Sequence, residues 1–116
     1  MSGAWAGLLD GITRVRGVRG ALLVSADDGL VVAEASMGDV DGAATAALAG
    51  SLILKLGRVT GAIGCAAPRM VMLEAERGGL MAAPAGEGLL LVAVTDADAN
   101  IGLLRLAMRV AAERVA

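Results

Sequence analysis

The sequence predicts an α+β sandwich, with its elements in the order helix, strand, strand, helix, strand, strand, strand, helix. Three observations lead to it: apolar residues recurring every three or four positions in three segments, short Val- and Leu-rich runs between them, and Asp-Gly or Gly-rich punctuation at the joints. A length of 116 residues fits one domain over residues 1–116, long enough to bury a single sizeable core.

Residues 2–16 read as the first helix, with Trp5, Leu8, Ile12 and Val15 on one face and Asp10, Arg14 and Arg16 elsewhere on the wheel. Gly17 and Gly20 should break it. "ALLVSA", residues 21–26, and "LVVAEAS" flank an Asp-Gly turn, the strongest short-range hairpin signal. Asp39 or Asp41 can cap a long second helix over about residues 40–62, and Gly64 lies near its end. "PRMVMLEAE" (68–76), "GLMAAPA" and "LLLVAVTD" (89–96), separated by "RGG" and "GEG", predict a three-stranded meander. Pro84 cannot donate to a ladder, so its strand should be short, lie at an edge, or end there. From Asp98 onward, Ile101, Leu104, Met108, Ala111 and Val115 recur at helical spacing, giving a third helix capped by Asp96 or Asp98.

Composition narrows the function classes. Net charge is -2, and the ten basic residues are scattered, so neither nucleic acid nor an anionic membrane is a favoured partner. The N-terminal "MSGAWAGLLDG" lacks a basic start and a long apolar stretch, which argues against a secretory signal and for the cytoplasm. A lone Cys65 agrees with a reducing compartment. Mean hydropathy is high, +0.73, yet the longest uncharged run, residues 42–54, is shorter than the roughly 20 residues of a membrane span. The hydrophobic excess must therefore be buried within the fold or against another protein.

Catalytic chemistry is sparse. With no His, no Tyr and one Cys, a zinc site of the usual type and the Ser-His-Asp and Cys-His arrangements cannot be assembled within one chain, and no GxxxxGK or GxGxxG loop occurs. No metal, cofactor or enzymatic activity is expected. "DADAN" mimics the start of a calcium loop, but Ile101 and Ala107 stand where Gly and Glu are needed, so it reads as a helix cap. Cys65 reads as a small buried hydrophobe, Lys55 as a solvated lysine, and Arg69 and Arg77 as solubilising residues flanking the third strand in preference to arginines donated to a GTPase.

The second helix is apolar nearly all round, so it must be covered on more than one side. Steps of about 100° per residue sort it into three stripes. Leu48, Leu52, Leu56, Val59 and Ile63 form a bulky one, suited to lie on a sheet. Ala46, Gly50, Ile53, Gly57 and Gly61 form a stripe of small residues around one Ile, suited to close approach by an antiparallel helix of an identical subunit. The alternative is that these small residues pack on the first or third helix of the same chain. Ser51, Lys55 and Arg58 form a narrow wet stripe between the two.

The order of elements, "GVRGALLVSADDGLVVAEA", the long Ala-rich helix after "DVDGAAT", and "LLLVAVTDADANIGLLRLAM" together resemble the roadblock family, the dynein light-chain and bacterial gliding-regulator group, over residues 5–115. The resemblance implies a five-stranded antiparallel sheet of roadblock/profilin-like type, with the long helix on one face and the terminal helices on the other. It also implies dimerisation through the long helix and the neighbouring third strand, here the small-residue stripe with Met70 and Met72, into a continuous two-subunit sheet. Members are similar to platforms for small Ras-like GTPases, and the gliding type accelerates its partner's GTP hydrolysis. The leading expectation is thus a homodimeric, cytoplasmic regulator or scaffold of a small GTPase, with Ser51, Lys55 and Arg58 on the partner surface. The alternative is a nucleotide-independent structural adaptor in a larger complex. A small-molecule sensor is disfavoured because, without His, Phe or Tyr, few groups remain to define a pocket.

Overall fold

The computed structural model describes residues 2–115. Its elements follow the expected order: α1 (Ser2–Thr13), β1 (Val18–Ser25), β2 (Leu30–Ser36), α2 (Gly42–Ala62), β3 (Val71–Ala75), β4 (Gly78–Ala85), β5 (Leu89–Asp96) and α3 (Ile101–Val115). The strands form one antiparallel sheet in the order β2-β1-β5-β4-β3.

Alternation along the strands gives the sheet two apolar faces. On one, Ala21, Leu23, Met81, Leu91 and Ala93 meet Leu8, Leu9 and Ile12 of α1 and Leu104, Met108 and Ala111 of α3, with Trp5 packed at the margin. On the other, Leu22, Val24, Leu90 and Val92 meet Ala46 and Ala49 of α2. The expected sandwich, long helix on one face and terminal helices on the other, is therefore present.

Several boundaries differ from the sequence reading, each for a local reason. The first helix stops at Thr13, whose hydroxyl donates to the Asp10 carbonyl at 3.2 Å. Gly17 then turns the chain at φ 90, where any side chain would strike the Ala99 backbone. Gly20 does not break the chain; it sits within β1, paired with Ser36 and Val94. The β1–β2 loop spans residues 26–29, wider than a two-residue turn, and is closed by the Gly29 N–H donating to the Ser25 carbonyl at 2.8 Å. β3 is shorter than predicted, and Pro84 pairs with Leu90 of β5 beyond Ala82, the last β4 residue that β3 reaches, so its missing N–H leaves no ladder bond unmade there. The third helix is capped by Asn100, not by Asp96 or Asp98: its Oδ1 accepts from the Leu103 N–H at 3.1 Å. Asp96 instead closes the preceding turn by accepting from the Asp98 N–H at 2.9 Å.

Candidate functional site

The feature with most capacity for function is α2 and the sheet surface beside it. Both ends of the helix are fixed by its own sequence. Asp41 caps the N-terminus, its Oδ1 accepting from the Ala44 N–H at 3.0 Å, while Asp39 is engaged in an ion pair with Arg19 of β1. At the other end Gly64 takes φ 77. The Cys65 N–H donates to the Thr60 carbonyl at 2.8 Å and the Gly64 N–H to the Gly61 carbonyl at 3.1 Å, the paired bonds of a Schellman stop. Cys65 is exposed in this stop, contrary to its expected burial.

The helix presents the opposite stripe to the sheet from the one expected. Gly42, Ala46, Ala49 and Gly50 are buried and Ile53 packs at their margin, so Ala46, Gly50 and Ile53 belong to the chain's own core and are not free for a second subunit. The cause is a close approach between the helix and the β1–β2 loop. A Cβ at Gly50 would lie 3.3 Å from the Ala26 carbonyl oxygen, and one at Gly29 would lie 2.9 Å from the Ala47 Cα. Only small residues admit the loop. Gly57 and Gly61, farther along the same stripe, have no heavy atom within 4 Å of a Cβ position, so they lie outside this contact. The small stripe does not pack on α1 or α3 either, which lie across the sheet.

The bulky stripe is left in the open. Leu48 is 70% exposed, Val59 55% and Ile63 69%, with Leu52 and Leu56 half-buried between them. Burying such side chains is worth roughly 1.5–3 kcal/mol each, so this partly exposed row is a candidate interface. Beside it the sheet is uncovered: α2 packs on β2, β1 and β5, and the edge strand β3 presents Leu73 at 52% exposure. Met70 and Met72 are half-buried against the α1/α3 core, so what β3 offers a neighbour is its free backbone edge and Leu73, not the two methionines. Ser51, Lys55 and Arg58 are all exposed, as the wet stripe requires. Arg69 and Arg77 are exposed at the two ends of β3.

At 21 residues α2 also meets the length and composition of a membrane span, so length does not exclude one. Its Ala46–Ala49–Gly50 face is nevertheless occupied by the sheet, and Lys55 and Arg58 stand in its second half. Among the described residues, no group of three or more His, Cys, Asp or Glu is placed to hold a metal ion.

Residues 6–95 match the Roadblock/LC7 domain. The chain belongs to the Roadblock/LC7 family. Two uncharacterized proteins of Methanocaldococcus jannaschii are each 36% identical to it over 104 residues, covering 90% of this chain and 86% or 90% of theirs. Among solved structures, MglB in a tetrameric arrangement superposes with a TM-score of 0.90 at 28% identity, covering 98% of this chain and 86% of that one. The gliding protein MglB of Thermus thermophilus gives 0.88 at 26% identity, covering 98% and 87%. A Roadblock/LC7 domain from Streptomyces avermitilis gives 0.80 at 29% identity, covering 94% and 92%. This Roadblock/LC7 chain is thus similar to the gliding protein MglB as well as to uncharacterized relatives.

Proposed function

We propose that this Roadblock/LC7 chain forms a homodimer that acts in the cytoplasm as a regulator or scaffold for a small Ras-like GTPase. The observation that carries the dimer is the exposed row Leu48, Val59 and Ile63 beside an uncovered sheet edge. Two copies related by a two-fold axis bring each row against its counterpart and each β3 edge against the other, burying apolar surface and satisfying backbone groups together. Gly57 and Gly61 fall at this contact; Ala46, Gly50 and Ile53 do not.

The GTPase rests on kinship with the gliding regulators, and fold alone does not carry function. The polar ridge of Ser51, Lys55 and Arg58, turned away from the sheet, supplies a cationic, hydrogen-bonding surface for that partner. No side chain is proposed to act chemically; stimulation of hydrolysis, where it occurs, would come from ordering the GTPase's own groups.

Two measurements test the reading in sequence. Light scattering should give a dimer mass, lost on the double change Val59→Asp and Ile63→Asp; a monomer in the unaltered protein would end the dimer proposal. A pull-down from native lysate with excess GDP or a non-hydrolysable GTP analogue should retain a small GTPase only with the analogue. The same retained proteins in both arms, with no GTPase, would replace the regulator with the nucleotide-independent adaptor.

A further inference from the structure

A second unfinished surface lies on the far side of the sheet from α2. There α1 and α3 leave a groove of about 340 Å³ between their outer sides, lined by residues that include Gly11, Leu103, Leu106 and Val110, with Arg14 and Arg114. Leu103, Leu106 and Val110 are 48%, 57% and 49% exposed, one apolar stripe at helical spacing that the core does not use. No heavy atom lies within 4 Å of a Cβ position at Gly11, so between Leu8 and Val15 the α1 wall has a gap where another chain can approach the backbone closely.

The charges of the groove are one-sided. No carboxylate lines it, and neither Arg14 nor Arg114 joins a salt bridge among the described residues, although the whole chain is net -2. The Asn100 N–H donates to the Arg16 carbonyl at 3.1 Å, so α3 starts where the segment after α1 ends and the two helices run antiparallel. Arg14 follows α1 and Arg114 lies in the last turn of α3. The cations therefore stand toward opposite ends of the groove, whose α3 wall runs about 16.5 Å from Leu103 to Arg114 at 1.5 Å per residue.

We propose that this groove receives an amphipathic helix of a different protein, with apolar anchors at three- and four-residue spacing and carboxylates at both ends. A groove between two packed helices suits a third helix, whose ridge seats between theirs. The carboxylates meet the two arginines, which bind them through paired N–H donors. A second copy of this chain fits poorly: its own α1/α3 face is cationic, and its exposed α2 row is flanked by Lys55 and Arg58, so either arrangement sets cation against cation. A lipid surface fits poorly too, because the apolar side chains line a concavity and do not form the protruding face that an interfacial helix buries among headgroups.

The test uses full-length protein and two fluorescein-labelled helical peptides of about 14 residues, long enough to span the groove. They share one leucine pattern, and one is flanked by Glu, the other by Lys. The Glu-flanked peptide should bind at least roughly tenfold more tightly, with the ratio narrowing as salt is raised. The exposed double change Leu106→Glu and Val110→Glu should abolish binding while the circular dichroism melt is kept. Arg14→Glu with Arg114→Glu should reverse the order of the two peptides. Equal affinities, or an order that the charge reversal leaves unchanged, would overturn the proposal. So would a fall in oligomer mass on changing Leu106 and Val110, which assigns the groove to a second copy. Cosedimentation with phosphatidylglycerol vesicles through the same residues, with neither peptide bound, would assign it to lipid.

Discussion

The helices on the two faces of the sheet contribute side chains of different size. Under α1 and α3, Leu9, Ile12, Leu104 and Met108 interlock with Met81 and Leu91, and each is essentially inaccessible to solvent. Under α2 the helix contributes Ala46, Ala49 and Gly50, while its larger side chains turn outward. The first face gains its stability from bulk within one chain. The second gives up bulk so that helix and hairpin can approach, and leaves its large side chains Leu48, Val59 and Ile63 exposed. Hydrophobicity along a helix thus does not say which stripe faces inward; the distance to the neighbouring backbone decides.

The largest test of this contrast is Leu104→Ala against Val59→Ala. Deleting the buried Leu104 side chain should cost about 2–5 kcal/mol in chemical denaturation, because a cavity remains. Val59→Ala should cost within about 0.5 kcal/mol at protein concentrations that favour monomer. A larger loss at Val59 that appears only at high concentration would sharpen the contrast by placing its burial in the dimer.

Next in size is Gly50→Leu, which drives a side chain against the Ala26 carbonyl and should destabilise by about 1–3 kcal/mol. An unchanged urea midpoint would break the close-approach account. Asp41→Ala removes the N-cap of α2 and should cost about 1 kcal/mol, read from the same titration.

The smallest effect carries the opposite sign. Gly57→Ala meets no neighbour within the chain and should stabilise by up to about 1 kcal/mol. If the gain is present in the Val59→Asp, Ile63→Asp background and absent in the unaltered protein, a second helix lies against Gly57.

The elements were legible in the sequence because each carries a local cause: the acidic-Gly turn before Leu30, the glycine after α2, the helical spacing from Ile101 to Val115. Choices among neighbouring polar residues were less so. Asp39 and Asp41 both suit a cap, and only the pairing of Asp39 with Arg19 separates them. Asp96 and Asp98 hid Asn100, whose carbonyl and side chain both serve the first turn of α3. The stripe of α2 that faces the sheet was misassigned because its orientation depends on the loop over residues 26–29 reaching α2, a contact distant in sequence. Of the expected site residues, Ser51, Lys55 and Arg58 lie on an exposed ridge as read, whereas Ala46, Gly50, Ile53, Met70 and Met72 are taken up within the chain itself.

The middle of the sheet has a further consequence. β1 lies beside β5, with Leu22 opposite Val92 and Leu23 opposite Leu91, so the central ladder joins the first strand of the chain to the last. The β1–β2 hairpin with α2 makes one half of the molecule, and the β3–β4–β5 meander with α3 makes the other. Cutting the chain in the exposed stretch around Ala66 would therefore divide it into two pieces that each hold one side of the same zip, and recombining them would rebuild the sheet. The β1–β5 ladder is thus the seam at which the sequence-distant halves of the sheet complete one another.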